Sequence, residues 1–268
     1  MNKNKHRILI LSIAMSLLLM LIMTGCSNER DLEAIKKQGT LIVGTSADYP
    51  PHEFVEDGEY KGFEIDIIKE VGNRMGLEIE IQDMSFDTLI ASLKQGKIDC
   101  VIASMSATPE RRQEVDFTET YFKATHTFVT KVGSTVRLTE PEDIKDYHLG
   151  FQTGTTHEKW VITNLIETGI MPENQIYRYD KADLGILDVS NGRIDAYLIE
   201  APIAKRYLRS YSDLQGAFEF DANPVYGGAR IAVQKGQSEL LNTINDTILQ
   251  MMDEGYIDEK IEEWFVGD

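Results

Sequence analysis

Ile98-Asp99-Cys100-Val101-Ile102-Ala103, followed at once by Ser104-Met105-Ser106-Ala107-Thr108-Pro109-Glu110-Arg111-Arg112, sets the fold class of this chain. The first six residues are mainly apolar and read as a buried strand. The next nine place hydroxyls and an arginine at its carboxyl end, where open α/β sheets gather their ligands. Arginine there can grip a carboxylate through two parallel hydrogen bonds. The residues alone equally allow a solvated helix start with Arg111 and Arg112 on the surface.

The segments before this strand alternate in the same sense. Thr40 to Thr45 reads as a strand, and Phe63, Ile67, Ile68, Val71 and Met75 recur at helical spacing until Gly76 gives a stop signal. Ile79 and Ile81 alternate as in a strand, and Phe86 to Leu93 returns to helical spacing. The series is β-α-β-α-β, an α/β pattern. A comparable series begins near His148: strand at Leu149-Gly150-Phe151, helix over Thr156 to Glu167, strand over Ile176 to Tyr179, helix over Lys181 to Ser190, strand over Arg193 to Ile199. Two such series suggest two lobes. The tail, from Arg230-Ile231-Ala232-Val233 to Trp264-Phe265, could cap either.

Lys3, Lys5 and Arg7 precede an almost wholly apolar run from Ile8 to Met23, the pattern of a secretory leader. At about 1.5 Å per residue this run falls short of the roughly 30 Å of hydrocarbon that a membrane helix crosses. The chain carries a net charge of −17, which argues against nucleic acid and against a polybasic membrane contact. Cys100 reads as a small buried hydrophobe without a disulfide partner. The five histidines show no familiar metal-ligand spacing, and phosphate loops, dinucleotide fingerprints and Gly-x-Ser-x-Gly are absent. No metal or cofactor is expected.

Other segments offer ligand contacts. Thr153-Gly154-Thr155-Thr156 lies between a strand and a helix, where free N–H groups favour an anion, although Thr before a helix is commonly an N-cap. Asp48-Tyr49-Pro50-Pro51 holds an aromatic in a rigid turn, and Phe86 opens a helix. Glu200 ends an apolar run, where a carboxylate can hold an ammonium group or pair on the surface.

Taken in order, Gly44-Thr45-Ser46-Ala47-Asp48-Tyr49-Pro50-Pro51, Gly62-Phe63-Glu64-Ile65-Asp66, Phe86-Asp87 with Leu89, Thr108-Pro109-Glu110-Arg111, Asp116-Phe117-Thr118, Gln152-Thr153-Gly154-Thr155-Thr156 and Trp264-Phe265 resemble the family 3 extracellular solute-binding proteins, the amino-acid receptors of ABC importers. The resemblance implies an α/β, two-lobed periplasmic-binding-protein fold of type II. Its two crossover strands would fall near Thr130 to Gly133 and Ala222 to Tyr226. Lobe 1 would comprise 39–131 and 225–268, and lobe 2 would comprise 132–224. It also implies that Arg111 grips a ligand α-carboxylate with N–H groups of Ser106 and Thr156. The Ser104 carbonyl and Glu200 would take the α-ammonium, Tyr49 and Phe86 would flank the side chain, and Asp48 and Gln152 would belong to the same site. The leader's end resembles a bacterial lipobox with Thr24 and Gly25 before Cys26, although Met23 stands where leucine is usual. Residues 1–25 would then be a signal peptide and 26–38 a tether from lipidated Cys26. The expected protein is a monomer anchored on the extracytoplasmic face of the cell membrane that delivers a polar or charged amino acid to an ABC permease. Ser46 stands where cation-binding members often have an acid, which leans away from strict lysine or arginine specificity. Asp48 and Glu200 keep a basic ligand open. His52 replaces a common phenylalanine. The alternative is an enzyme on the same fold, a cyclohexadienyl dehydratase with Glu200 as general acid.

Overall fold

The computed structural model describes residues 30–223 and 226–266. The leader and Cys26 lie outside the described residues. Helix α1 (Leu32–Gln38) starts at Asp31, whose carboxylate accepts from Ala34 N at 2.8 Å, and it buries Leu32 and Ile35 in the first core. Residues 32–38 of the expected tether over 26–38 are thus a helix packed on the first core, because a short amphipathic helix needs only two apolar residues on one face and its polar remainder hides them. Then follow β1 (Thr40–Thr45), a small antiparallel sheet of β2 (Asp48–Tyr49), β3 (Glu53–Glu56) and β4 (Glu59–Lys61), helix α2 (Phe63–Met75) and β5 (Glu78–Asp83). After a 3-10 turn at Phe86–Thr88 come α3 (Leu89–Lys94), β6 (Cys100–Val101), α4 (Pro109–Glu114) and β7 (Val115–Phe117). The expected strand over Ile98 to Ala103 is regular only at its centre, although all of it is buried.

The second series runs β8 (His126–Lys131), β9 (Leu149–Gln152), α5 (Thr156–Val161), β10 (Ile176–Tyr179), α6 (Ala182–Ser190), β11 (Ala196–Glu200), α7 (Ala201–Ser210) and β12 (Leu214–Phe220). The tail adds β13 (Ala232–Gln234), α8 (Ser238–Asp253) and α9 (Tyr256–Ile261).

The strands form two five-stranded sheets of matching design, β5-β1-β6-β13-β7 and β10-β9-β11-β8-β12. In each, the first three strands are parallel, with Val43 opposite Cys100 and Thr40 opposite Glu78 in one, and Ala196 opposite Leu149 in the other. The fourth strand is antiparallel in both: β13 between β6 and β7, and β8 between β11 and β12. The residues of β8, which the sequence reading counts in lobe 1, are therefore hydrogen-bonded into the second sheet, and the first crossing precedes His126. Its residues are buried from His126 to Thr130, as an interior strand requires. The tail returns to the first sheet.

Helix α2 shows how the layers close. Ile67, Ile68 and Val71 share one face and pack with Leu41 and Val43 of β1; all are fully buried. Each such side chain contributes about 1.5–3 kcal/mol. Gly76 ends the helix in the left-handed region at φ 70°. Cys100 lies in this core as a free thiol, pushed up by burial.

Candidate functional site

The site forms where the carboxyl ends of β1 and β6 face those of β9 and β11, the position that parallel α/β sheets favour. On the first side, Thr108 caps α4, its hydroxyl accepting from Arg111 N at 3.4 Å, with Pro109 preset for the first turn. This projects Arg111 into the cleft. Its guanidinium donates to Ser106 O at 2.7 Å and to Gly154 O, on the opposite lobe, at 2.9 Å, and lies 5.2 Å from the Phe86 ring centroid. Two of its five N–H donors are so used. Burial brings Arg111 down to about 10, which leaves it charged at neutral pH.

Ser104 holds a left-handed backbone at φ 46°, a conformation that costs a non-glycine residue about 1–2 kcal/mol. The Glu64 carboxylate accepts from its N–H at 2.7 Å and offsets that strain, fixing the carbonyl beside the cleft. Ser104 Oγ lies 3.5 Å from Glu200 Oε1.

On the second side, the Thr155 hydroxyl caps α5 by accepting from Glu158 N at 3.3 Å, so Thr156 stands at the first turn beside the pocket. Glu200, last residue of β11, receives no cap bond through its side chain and turns its carboxylate inward. Tyr49 Oη accepts from Glu200 N at 3.4 Å across the cleft.

The space between the lobes here, open solvent included, is about 400 Å³. Of the expected residues, Tyr49, Phe86, Ser104, Ser106, Arg111, Gln152, Thr156 and Glu200 line it, and Asp48 does not. Asp48 is buried against the other lobe, where it accepts from Ala182 N at 2.6 Å, Gln152 Nε2 at 3.2 Å and Ser46 Oγ at 2.6 Å. It latches the lobes, and burial pushes its carboxyl up against these bonds.

The pocket acid that the sequence reading missed is Glu53, which the tight β2–β3 turn brings back beside Tyr49. One of its oxygens is buried without a hydrogen-bond partner, as is Glu200 Oε2. Burial, reinforced by the Glu64 charge, pushes Glu200 to about 8 and Glu53 well above the usual carboxylate range. His157 also lines the pocket and is held neutral by burial and by His126 and Arg111 nearby. Arg111 is the only basic side chain among the described lining residues that stays charged at neutral pH. Arg111 thus brings the pocket its cation, and Glu53 and Glu200 bring it carboxyl groups.

A sequence profile of the bacterial extracellular solute-binding proteins, family 3, matches residues 41–267. The chain belongs to that family. The arginine-binding extracellular protein ArtP of Bacillus subtilis (strain 168) is 35% identical over 260 residues, 97% of this chain and 98% of its own. The L-cystine-binding protein TcyJ of Escherichia coli (strain K12) is 28% identical, over 90% of this chain and 88% of its own. Among solved structures, an ancestral arginine-binding protein bound to arginine superposes with a TM-score of 0.78 at 34% identity, covering 85% of this chain and 98% of that one. These relatives carry the two-lobed binding-protein fold and are named as binding proteins. This family member is accordingly an extracytoplasmic solute-binding protein and not an enzyme.

Proposed function

We propose that the solute is a basic amino acid, L-arginine foremost, held by its α-carboxylate on Arg111 and by its two cationic groups on Glu200 and Glu53. The protein collects the amino acid outside the cytoplasm and delivers it to an ABC importer. The observation that carries the reading is the division of the pocket, with one free-handed guanidinium facing two buried carboxyl groups that each have an unpartnered oxygen. A neutral side chain would leave one Glu53 oxygen buried without a partner, a cost of about 1–3 kcal/mol. The arginine-binding relatives support the choice. Ser46 argues less against a basic ligand than its position suggests, because Glu53 supplies the acid. Charged hydrogen bonds at about 1.5–3 kcal/mol each bring micromolar affinity, about 8 kcal/mol, within reach after ordering costs.

Isothermal titration of the mature chain, freed of bound amino acid, tests this. L-Arginine binds saturably at one equivalent and L-glutamine far more weakly. No heat with arginine, lysine or ornithine overturns it. The same proposal has the chain held at the membrane as a monomer by a lipid on Cys26; Cys26→Ser then moves it from the membrane fraction to the medium.

A further inference from the structure

Behind the ligand pocket lies a cluster that shares only Glu53 with the proposed amino-acid site. Helix α2 begins at Gly62, whose φ of 126° lets the helix end approach so closely that a Cβ there would sit 2.3 Å from His52 O. Phe63 N and Glu64 N donate to the carbonyls of Pro51 and His52 at 2.8 and 2.9 Å. That docking sets Glu64 beside His52 and Glu53, and one donor atom from each of the three lies within 4.8 Å of the others.

All three are buried. His52 is fully enclosed, with the rings of Phe122, Phe265 and Phe63 at 4.9, 5.0 and 5.6 Å, yet neither ring nitrogen has a hydrogen-bond partner. Nδ1 faces Glu64 Oε1 at 3.9 Å and Nε2 faces Glu200 Oε2 at 3.7 Å. One oxygen of Glu53 is likewise unpartnered. Glu64 is oriented from behind by Tyr121 Oη and Ser104 N.

We propose that His52, Glu53 and Glu64 form a binding site for a divalent transition metal of the zinc class. Imidazole with two carboxylates is a donor set that suits zinc. The outer contacts also match what a metal ligand needs, since a ligating histidine typically turns its second nitrogen to a carboxylate, here Glu200, and ligating carboxylates are themselves hydrogen-bonded. Neither His52 ring nitrogen is engaged by a hydrogen bond, so the ring has a lone pair to give. Bonds of about 2.0–2.2 Å put tetrahedral donors roughly 3.4 Å apart, so the three side chains would draw in by about an ångström around the ion. Access runs through the ligand pocket, which Glu53 lines. Because Glu53 serves both places, the measurement uses protein without bound amino acid.

The test is titration of the chelator-treated full mature chain with zinc, and with cobalt as a spectroscopic probe. One saturable equivalent is expected, with cobalt d–d bands of a low-coordinate nitrogen and oxygen site. His52→Phe, which suits the surrounding rings, and Glu64→Gln should each weaken zinc binding at least tenfold. Absence of a saturable equivalent in the unsubstituted chain overturns the proposal. So does unchanged affinity in a folded variant, which would place the metal on the acidic surface.

Discussion

Replacing Gly154 with alanine should act on closure more than on folding. Gly154 lies between β9 and α5 with φ 76°, and a Cβ there would sit 2.9 Å from Asp87 Cβ and 3.1 Å from Asp87 Cα, across the cleft. Carbon atoms rest about 3.5–4.0 Å apart. The neighbour is partly backbone, so it cannot swing aside as a long side chain would. Two costs follow, and they separate. The left-handed backbone burdens the loop by about 1–2 kcal/mol whether or not the lobes meet, and so lowers the unfolding midpoint of the ligand-free protein. The clash exists only when the lobes meet, and overpacking of this kind costs about 1–3 kcal/mol. At about 1.4 kcal/mol per tenfold, arginine affinity should fall roughly 5- to 150-fold. Isothermal titration reads the second cost and a thermal melt without ligand reads the first. A dissociation constant within twofold of the parent, in a folded variant, would show that the ligand-bound protein does not bring Gly154 to Asp87, and would refute the closure geometry.

Three further outcomes are expected. Arg111→Lys keeps the charge but loses the planar fork, so arginine affinity should drop about 10- to 150-fold, the worth of one charged hydrogen bond, in the same titration. The empty protein holds a proton on Glu200 up to about pH 8, and a ligand ammonium favours the ionised form, so binding expels that proton. The Glu200 proton should therefore make affinity rise with pH by up to about tenfold per unit, a contribution that flattens above pH 8 and that Glu200→Gln should remove. For folding of the ligand-free chain the same raised value works the other way: its stability contribution is full below the ordinary carboxylate range and is lost as pH rises through about 8. Ile35→Ala should lower stability by about 2–5 kcal/mol in a denaturant melt, because α1 is part of the first core. A loss below 0.5 kcal/mol, a margin well under the usual cost of such truncations, would restore the tether reading.

The strand and helix succession was legible because each element buries one face, and periodicity reports that face directly. Ser104, Ser106 and Arg111 were legible for a related reason, since they follow a buried strand in sequence and therefore in space. What periodicity does not report is the partner. Nothing local in His126–Lys131 tells which sheet receives it, and the strand is apolar enough for either. Asp48 was a candidate ligand contact because it could stand in for the acid missing at Ser46, but its partners Ala182 and Gln152 lie more than a hundred positions away. Glu53 and Glu64 come together only because α2 docks its first turn on the Pro51-His52 carbonyls, a contact that reads in the sequence as no more than a glycine before a helix. α7 and β12 were not anticipated; Ala201–Ser210 mixes charges into its apolar spacing, and the β12 residues Leu214–Phe220 are only half-buried for the most part.

The bonds across the cleft divide by depth, and the division says where a ligand acts. At the base, Asp48 is buried with three acceptor bonds, Tyr207 donates to its carbonyl at 3.0 Å, and the Tyr49 ring sits within the second lobe's core. Breaking this set would strand a buried carboxylate, which is costly. At the rim, Lys159 with Glu110 and Lys181 with Asp83 are solvent-facing pairs worth about 0–1 kcal/mol each. Such pairs cannot hold two lobes together by themselves. Between base and rim stands Arg111, bonded to Ser106 of one lobe and Gly154 of the other, with donors left over. In the proposed complex a carboxylate on those donors would neutralise the guanidinium, while the cationic groups of the same ligand would displace the protons of Glu200 and Glu53 and pair with their carboxylates. A ligand so held would shift the rim toward the closed arrangement by binding both lobes at once, and an amino acid lacking either charge would bind only half of the proposed site.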